Sequence, residues 1–221
     1  MLVLALDSTT SACSAALWRD GGVLARRFAA MTRGQSEVLV PMIGAVLDEA
    51  GLTVADADLL AVTVGPGAFT GIRIGLATAR ALALAAGKPL AGIATPEAVA
   101  AAVPPAQRHD RTVLAIVDSR REELWVQAFA PDLTALGQPQ ALAPAAIAVR
   151  YGGQALVLAG DGAAQVLPLL AGAILADAAP SPDAAIVAAL AAGRWAAGTA
   201  LPPEPLYLRP ADVTMPACPS S

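Results

Sequence analysis

The run Leu59-Leu60-Ala61-Val62-Thr63-Val64 has no charge and no polar alternation, so it reads as a strand buried on both faces. It empties into Gly65-Pro66-Gly67. A helical pattern then runs from about Gly71 to Ala86, where Gly87 stops it and Pro89 stands just beyond. Residues 90–94 form a short strand, and Pro96 opens another helix at its first turn. Strand, helix, strand in that order points to α/β construction.

The flanking sequence extends the scheme. Residues 2–6, 12–18 and 23–29 read as strands, the last two joined by the turn Asp20-Gly21-Gly22. Ser36 is the expected N-cap of a helix that runs to about Ala50, with Gly51 past its end and Pro41 inside it. Residues 103–110, with Pro104-Pro105, read as a linker. Beyond it, Val113-Leu114-Ala115-Ile116-Val117-Asp118-Ser119 echoes Val3-Leu4-Ala5-Leu6-Asp7-Ser8. The expected organisation is two related sub-domains, residues 1–105 and 106–221, each around a central sheet. A strand at 156–159 and helices near 163–170 and 183–195 complete the second. The tail from Leu201 carries Pro202, Pro203, Pro205, Pro210, Pro216 and Pro219; it reads as extended and packed back through Leu206-Tyr207-Leu208, with its last residues loose.

With 56% hydrophobic and 14% charged residues, the chain has enough apolar material for a large core, and global disorder is excluded. The net charge of −4 and scattered arginines argue against a general nucleic-acid surface. Two distant cysteines, Cys13 and Cys218, make no disulfide framework, and Met1 leads straight into an apolar strand without a basic leader. The most apolar helical run, residues 72–86, contains Arg73 and Arg80 and falls short of the ~20 residues that span a bilayer. A cytoplasmic protein with no membrane segment is expected.

Three sites invite a chemical reading. The glycine loop from Gly65 to Gly75 has the geometry to cradle an anion with backbone N–H groups. It equally suits a tight strand-to-helix turn capped by Thr70. It is neither a P-loop, lacking Gly-Lys-Ser/Thr, nor a dinucleotide fingerprint. Asp7-Ser8-Thr9-Thr10 and Asp118-Ser119-Arg120 end corresponding strands; face to face they would grip a nucleotide phosphate and its metal, although Asp and Ser form turns anywhere. His109, the sole histidine, sits in the linker, so neither a Ser-His-Asp triad nor a protein-built zinc site is supported.

The helices on either side of the loop are apolar all round. Leu39, Met42, Ile43, Val46 and Leu47 form one stripe of the first, yet Val38, Val40, Pro41, Gly44 and Ala45 leave its other faces almost uncharged. In the second, Leu76, Ala79 and Ala83 share a face while Ile74, Thr78, Ala81 and Leu82 cover others. Such helices are covered on more than one side, either within this domain or by a partner on the outer face. The partner is favoured, which makes Leu39, Val40, Ile43, Val46, Leu47, Ile74, Thr78, Ala81 and Leu82 the expected partner interface.

The loop Gly65-Pro66-Gly67-Ala68-Phe69-Thr70-Gly71-Ile72-Arg73-Ile74-Gly75 resembles the G-P-G-S-F-T-G-[LIV]-R-I-G pattern of the bacterial TsaB (YeaZ-like) family. So do Leu4-Ala5-Leu6-Asp7-Ser8-Thr9-Thr10, Gln35-Ser36-Glu37 with Leu39-Val40-Pro41-Met42, Asp118 to Trp125, and Pro205-Leu206-Tyr207-Leu208-Arg209. The resemblance implies an actin/Hsp70-like (ASKHA) α/β fold of two related sub-domains, each with a central mixed sheet. It also implies a non-catalytic dimerisation subunit for TsaD, acting with TsaE to make N6-threonylcarbamoyladenosine at position 37 of ANN-decoding tRNAs, with tRNA met only indirectly. The family's nucleotide cleft is degenerate, here Asp7, Ser8, Thr9, Asp118 and Arg120. The resemblance therefore implies no metal and no cofactor bound independently, ATP or ADP belonging to the complex with TsaD. The paired histidines of TsaD are missing, Gln35 and Leu39 standing at that spacing. Ala68 replaces the usual Ser and Ser119 the usual Ala. Without its partner the chain is expected to form a homodimer. The alternative is a small actin-fold ATPase or kinase acting alone through Asp7 and Asp118.

Overall fold

The structure, a computed structural model, describes residues 1–208. Arg209, Cys218 and the prolines at 210, 216 and 219, on which the expectation of a loose terminus rests, lie outside the described residues.

Two five-stranded sheets repeat one topology. In the first, β1 (Leu2–Asp7), β2 (Ala12–Arg19) and β3 (Gly22–Ala30) form an antiparallel meander, and β4 (Leu59–Gly65) and β5 (Leu90–Ala94) add in parallel beyond β1. The intervening helices are α1 (Gln35–Ala50) and α2 (Phe69–Ala86). After α3 (Thr95–Ala101) and α4 (Pro105–Arg108), the pattern recurs: β6 (Thr112–Val117), β7 (Leu124–Phe129) and β8 (Gln140–Leu142) antiparallel, then β9 (Leu156–Ala159) and β10 (Ile174–Leu175) parallel beyond β6. Helices α5 (Pro144–Tyr151) and α6 (Ala163–Val166) lie between the last three strands. The echoed segments are therefore β1 and β6, the central strand of each sheet. This is the actin/Hsp70-like arrangement expected from the resemblance.

Strand alternation decides which layer each residue feeds. Leu2, Leu4 and Leu6 of β1 pack with Leu39, Ile43 and Val46 of α1 and Ile72, Leu76 and Ala79 of α2. Val3 and Ala5 point the other way, onto α7 (Ala184–Ala196). The second sheet is covered by α5 and α6 through Ile147, Ala163 and Val166. Helix α3 separates the sheets: Ala98 packs in the α7 layer, while Val99 and Ala100 pack on Val113, Ala115 and Val117. Thus the sheets change at the linker, but α7, from the second half of the chain, completes the first sub-domain. Its alanine-rich face lets it lie close to β1 and β2, and the Ser14 hydroxyl fixes its start by accepting from the Ala184 N–H (3.0 Å) and donating to Pro182 O (3.2 Å).

Two expected caps differ. Helix α1 begins at Gln35 with Gly34 (φ 92°) at the N-cap, a left-handed position that favours glycine over Ser36. Helix α2 begins at Phe69 with Ala68 at the N-cap, leaving Thr70 inside the first turn. The stretch expected as linker also contains α4, started by Pro105. By length and composition α2, 18 residues with mean hydropathy 1.3, could cross a membrane, longer and more apolar than the sequence reading allowed. Here it turns one face into the core, burying Gly71, Ile72, Gly75, Leu76, Ala79 and Ala83.

Candidate functional site

The glycine loop lies against the turn that follows β1, backbone to backbone. A Cβ on Gly67 would sit 2.3 Å from the Thr9 carbonyl oxygen, and one on Gly71 2.0 Å from that of Ser8. Ala68 N–H donates to Thr9 O (2.7 Å), and the Ser8 hydroxyl donates to Gly71 O (2.8 Å). Gly67 and Gly71 are thus packing glycines, and the Ala68 N–H is committed to Thr9. Pro66 is buried with them, while Phe69, Thr70 and Arg73 emerge on the surface.

Beneath the loop sits a polar network. Asp7 Oδ1 accepts from the Thr9 N–H (3.1 Å), the Thr9 hydroxyl (2.6 Å) and the Thr63 hydroxyl, and Thr95 donates to Thr9 Oγ1 (3.1 Å). Asp7 Oδ2 has no partner. Burial pushes the Asp7 carboxyl up to about 6, against the opposing pull of the Thr63 and Thr9 hydrogen bonds.

The counterpart turn reaches this network through a residue the sequence reading did not single out. Asp161 Oδ1 accepts from the Asp118 N–H (2.8 Å), and its Oδ2 accepts from the Ser11 hydroxyl (3.4 Å). Burial raises the Asp161 pKa as well, with the Asp118 charge adding to it. Arg120, at φ 62°, lies 3.6 Å from Asp118 and donates to Ser11 Oγ. The sequence offered only a faint signal, Gly160-Asp161-Gly162 after an apolar strand; in the structure a Cβ on Gly160 would come within 2.1 Å of Ile116 O. The structure therefore brings Asp7, Ser8 and Thr9 near Asp118 and Arg120. It does so with Ser8 and Thr9 sealed under the glycine loop, Asp118 and Asp161 beside the one arginine, and Asp7 buried close to Asp161. Those residues do not fit a nucleotide phosphate. Among the described residues no group of His, Cys, Asp and Glu is placed to hold a metal.

A separate cleft of about 890 Å³ opens between residues 32–36, the glycine loop, the 119–125 turn and the tail. The tail forms one wall because two glycines admit it. A Cβ on Gly65 would lie 2.9 Å from Leu206 O, and one on Gly92 2.6 Å from Pro202 O. Leu206 N–H donates to Val64 O (2.8 Å), Gly92 N–H to Leu201 O (2.8 Å) and Arg80 Nε to Pro203 O (3.1 Å). Tyr207 stacks on Phe69 at 5.5 Å and accepts from Arg73 Nε (3.2 Å), whose guanidinium lies 3.7 Å over the Phe69 ring.

The expected partner interface divides in two. Leu39, Ile43, Val46 and Leu47 are buried inside the monomer, where α1 packs against β2, β3 and α2, so they belong to the core and present nothing outward. Their stripe is the one an amphipathic helix turns to its own sheet. Val40 is 59% exposed, Ala81 is exposed, and Ile74, Thr78 and Leu82 are half-buried beside α1. To these the structure adds Ala77, Ala85 and Leu84, the last 85% exposed. No acid occurs in α2.

Comparison with known proteins agrees with this architecture. The family described as "TsaD: tRNA N6-adenosine threonylcarbamoyltransferase" matches residues 16–167. The Escherichia coli tRNA threonylcarbamoyladenosine biosynthesis protein TsaB is 39% identical over 125 residues, which span 57% of this chain and 53% of that protein. YeaZ from Pseudomonas aeruginosa superposes with a TM-score of 0.79 at 29% identity, covering 94% of this chain and 99% of that one. The chain belongs to the TsaB (YeaZ-like) branch of that family. The mycobacterial protein Rv3421c, 35% identical, is matched over 95% of this chain and 92% of its own length. The fold reaches further, to the activator of 2-hydroxyisocaproyl-CoA dehydratase from Clostridium difficile, at a TM-score of 0.53 and 11% identity. For a TsaB-family chain the informative surfaces are thus the outer ridge of α1 and α2 and the tail-walled cleft.

Proposed function

We propose that this chain is the non-catalytic partner subunit of TsaD in forming N6-threonylcarbamoyladenosine at position 37 of ANN-decoding tRNAs. TsaE joins the complex, and ATP or ADP binds there and not to the isolated chain. The supporting observation is the outer side of α2. Ala77, Ala81 and Ala85 form an exposed ridge at i, i+4, i+8 spacing, with Leu84 beside it, and the neighbouring α1 exposes Val40. Ridges at that spacing interdigitate with those of another helix, and small side chains allow the closest approach. An uncharged, apolar ridge of this kind marks a protein interface. The same ridge would join two copies of the chain when TsaD is absent. The setting we infer is cytoplasmic.

Mixing purified chain with cognate TsaD on a sizing column tests the reading. Co-elution that is lost in Ala81→Asp is expected; separate elution of the wild-type proteins at micromolar concentration would sink it.

One observation favours the rival reading of a small ATPase or kinase: the buried, unpartnered Asp7 Oδ2 close to Asp161. ATP turnover by the purified chain that disappears in Asp7→Ala would support that rival.

A further inference from the structure

Four arginines separated along the sequence gather at the tail-walled cleft. Arg33, Arg120 and Arg121 line it, and Arg73 touches its Phe69 and Tyr207 wall. Arg120 is held by Asp118, but among the described residues no carboxylate pairs with Arg33 or Arg73. The aromatic residues are as unevenly placed. Of eight in the chain, Phe69, Trp125 and Tyr207 line this one cleft, whereas among the described residues Glu123 is the only acid that does. Asp7, Asp118 and Asp161 do not line it. The first turns of both long helices also open here, and neither Gly34 nor Ala68 supplies a side-chain cap. Aromatic faces beside Arg33 and Arg73 and the helix ends suit a planar base that carries a phosphate.

We propose that this cleft binds an unpaired nucleotide of an RNA strand. The phosphate lies at Arg33 and the helix ends, and the base lies against Tyr207. Arg73 gives a neighbouring phosphate of the strand a second cation, which a mononucleotide has no use for. This contact belongs to the chain itself and replaces the expectation that tRNA meets this subunit only indirectly. The net charge of −4 does not oppose it, because among the described residues the cleft lining holds three arginines and one acid, Glu123, with Glu37 in the first turn of α1 beside it.

The experiment is fluorescence anisotropy of a labelled single-stranded RNA of about eight nucleotides with the full chain, across a salt series. Wild type is expected to bind, with log affinity falling against log salt by about 0.7 per phosphate contacted. Arg33→Ala should remove about one phosphate's share of that slope. Tyr207→Ala should weaken binding about tenfold at every salt concentration. Arg150→Ala, on the far sub-domain, should change neither. The proposal is overturned by absent binding, by both cleft variants binding like wild type, or by AMP competing as well as RNA. Sizing with TsaD on the same proteins separates the two readings. TsaD binding without RNA binding sinks this inference alone, and RNA binding without TsaD binding sinks only the partner role.

Discussion

The Thr63 hydroxyl donates to Asp7 Oδ1 across the β1–β4 pair, so one carboxylate oxygen is fixed while the other stays buried and unpartnered. That asymmetry makes Asp7 a destabilising charge. Its folded pKa is raised to about 6 from 3.8, so between those pH values the folded state holds a proton that the unfolded state has released. The favourable contribution is fully present below pH 3.8 and is lost as pH rises through about 6. The shift corresponds to at most about 3 kcal/mol. Asp7→Asn keeps an acceptor for Thr63 and removes the charge. It should raise the urea midpoint at pH 8 and leave it nearly unchanged at pH 4; a variant less stable than wild type at pH 8 would refute the assignment.

The two sides of α1 should respond oppositely to the same charge. Ile43→Asp buries an unpaired carboxylate among Leu4, Leu6 and Ile72 and should cost about 3–5 kcal/mol, losing folded protein before any complex is measured. Val40→Asp lies on the exposed side and should change stability by less than about 0.5 kcal/mol. It should nonetheless weaken co-elution with TsaD. Thermal unfolding and sizing on one preparation read both effects, and equal stability of the two variants would contradict the burial.

This division explains how much the sequence could say. Periodicity located α1 and its stripe correctly, but an apolar residue reads the same whether its own sheet or a partner covers it. Only the packing of β1 and β2 assigned Leu39 and Val46 to the interior. The repeat was legible because β1 and β6, as central strands, must be apolar on both faces and end in the same turn. By contrast β8 has three residues and α5 only eight, too few for either period to register. Asp161 went unnoticed because a lone acid between glycines looks like a turn. Its role emerges only when the two sheets bring Ser11 and the Asp118 N–H to it. The cleft was illegible for the same reason: Arg33, Arg73, Arg120 and Tyr207 are local nowhere in the sequence.

Gly71 tests whether the loop motif serves packing or ligand contact. Its Cβ would fall 2.0 Å from the Ser8 carbonyl oxygen, an overlap with backbone that no rotamer change relieves. Gly71→Ala should push the loop off the turn after β1, lowering stability by roughly 2 kcal/mol or more. The loss should appear in urea unfolding of the isolated chain with no ligand present. Unchanged stability would return the loop to the role of an anion cradle.

Gly92 makes the corresponding test of the tail. In the middle of β5 a side chain would meet Pro202 O at 2.6 Å and Val64 Cγ1 at 2.7 Å, so the tail reaches Leu206 only because this position is bare. The Gly92 N–H bond to Leu201 O also bridges the tail to the β5 edge of the sheet. Gly92→Val should dislodge the segment from Leu201 onward while β5 keeps its pairing with β4, since Val suits a strand. Limited proteolysis should then cut between 201 and 208 at least several-fold faster than in wild type, with the sub-domain cores resisting. A cleavage rate equal to wild type would mean that the tail is held through Arg80, Val64, Phe69 and Arg73, at Pro203, Leu206 and Tyr207, and not from the β5 edge.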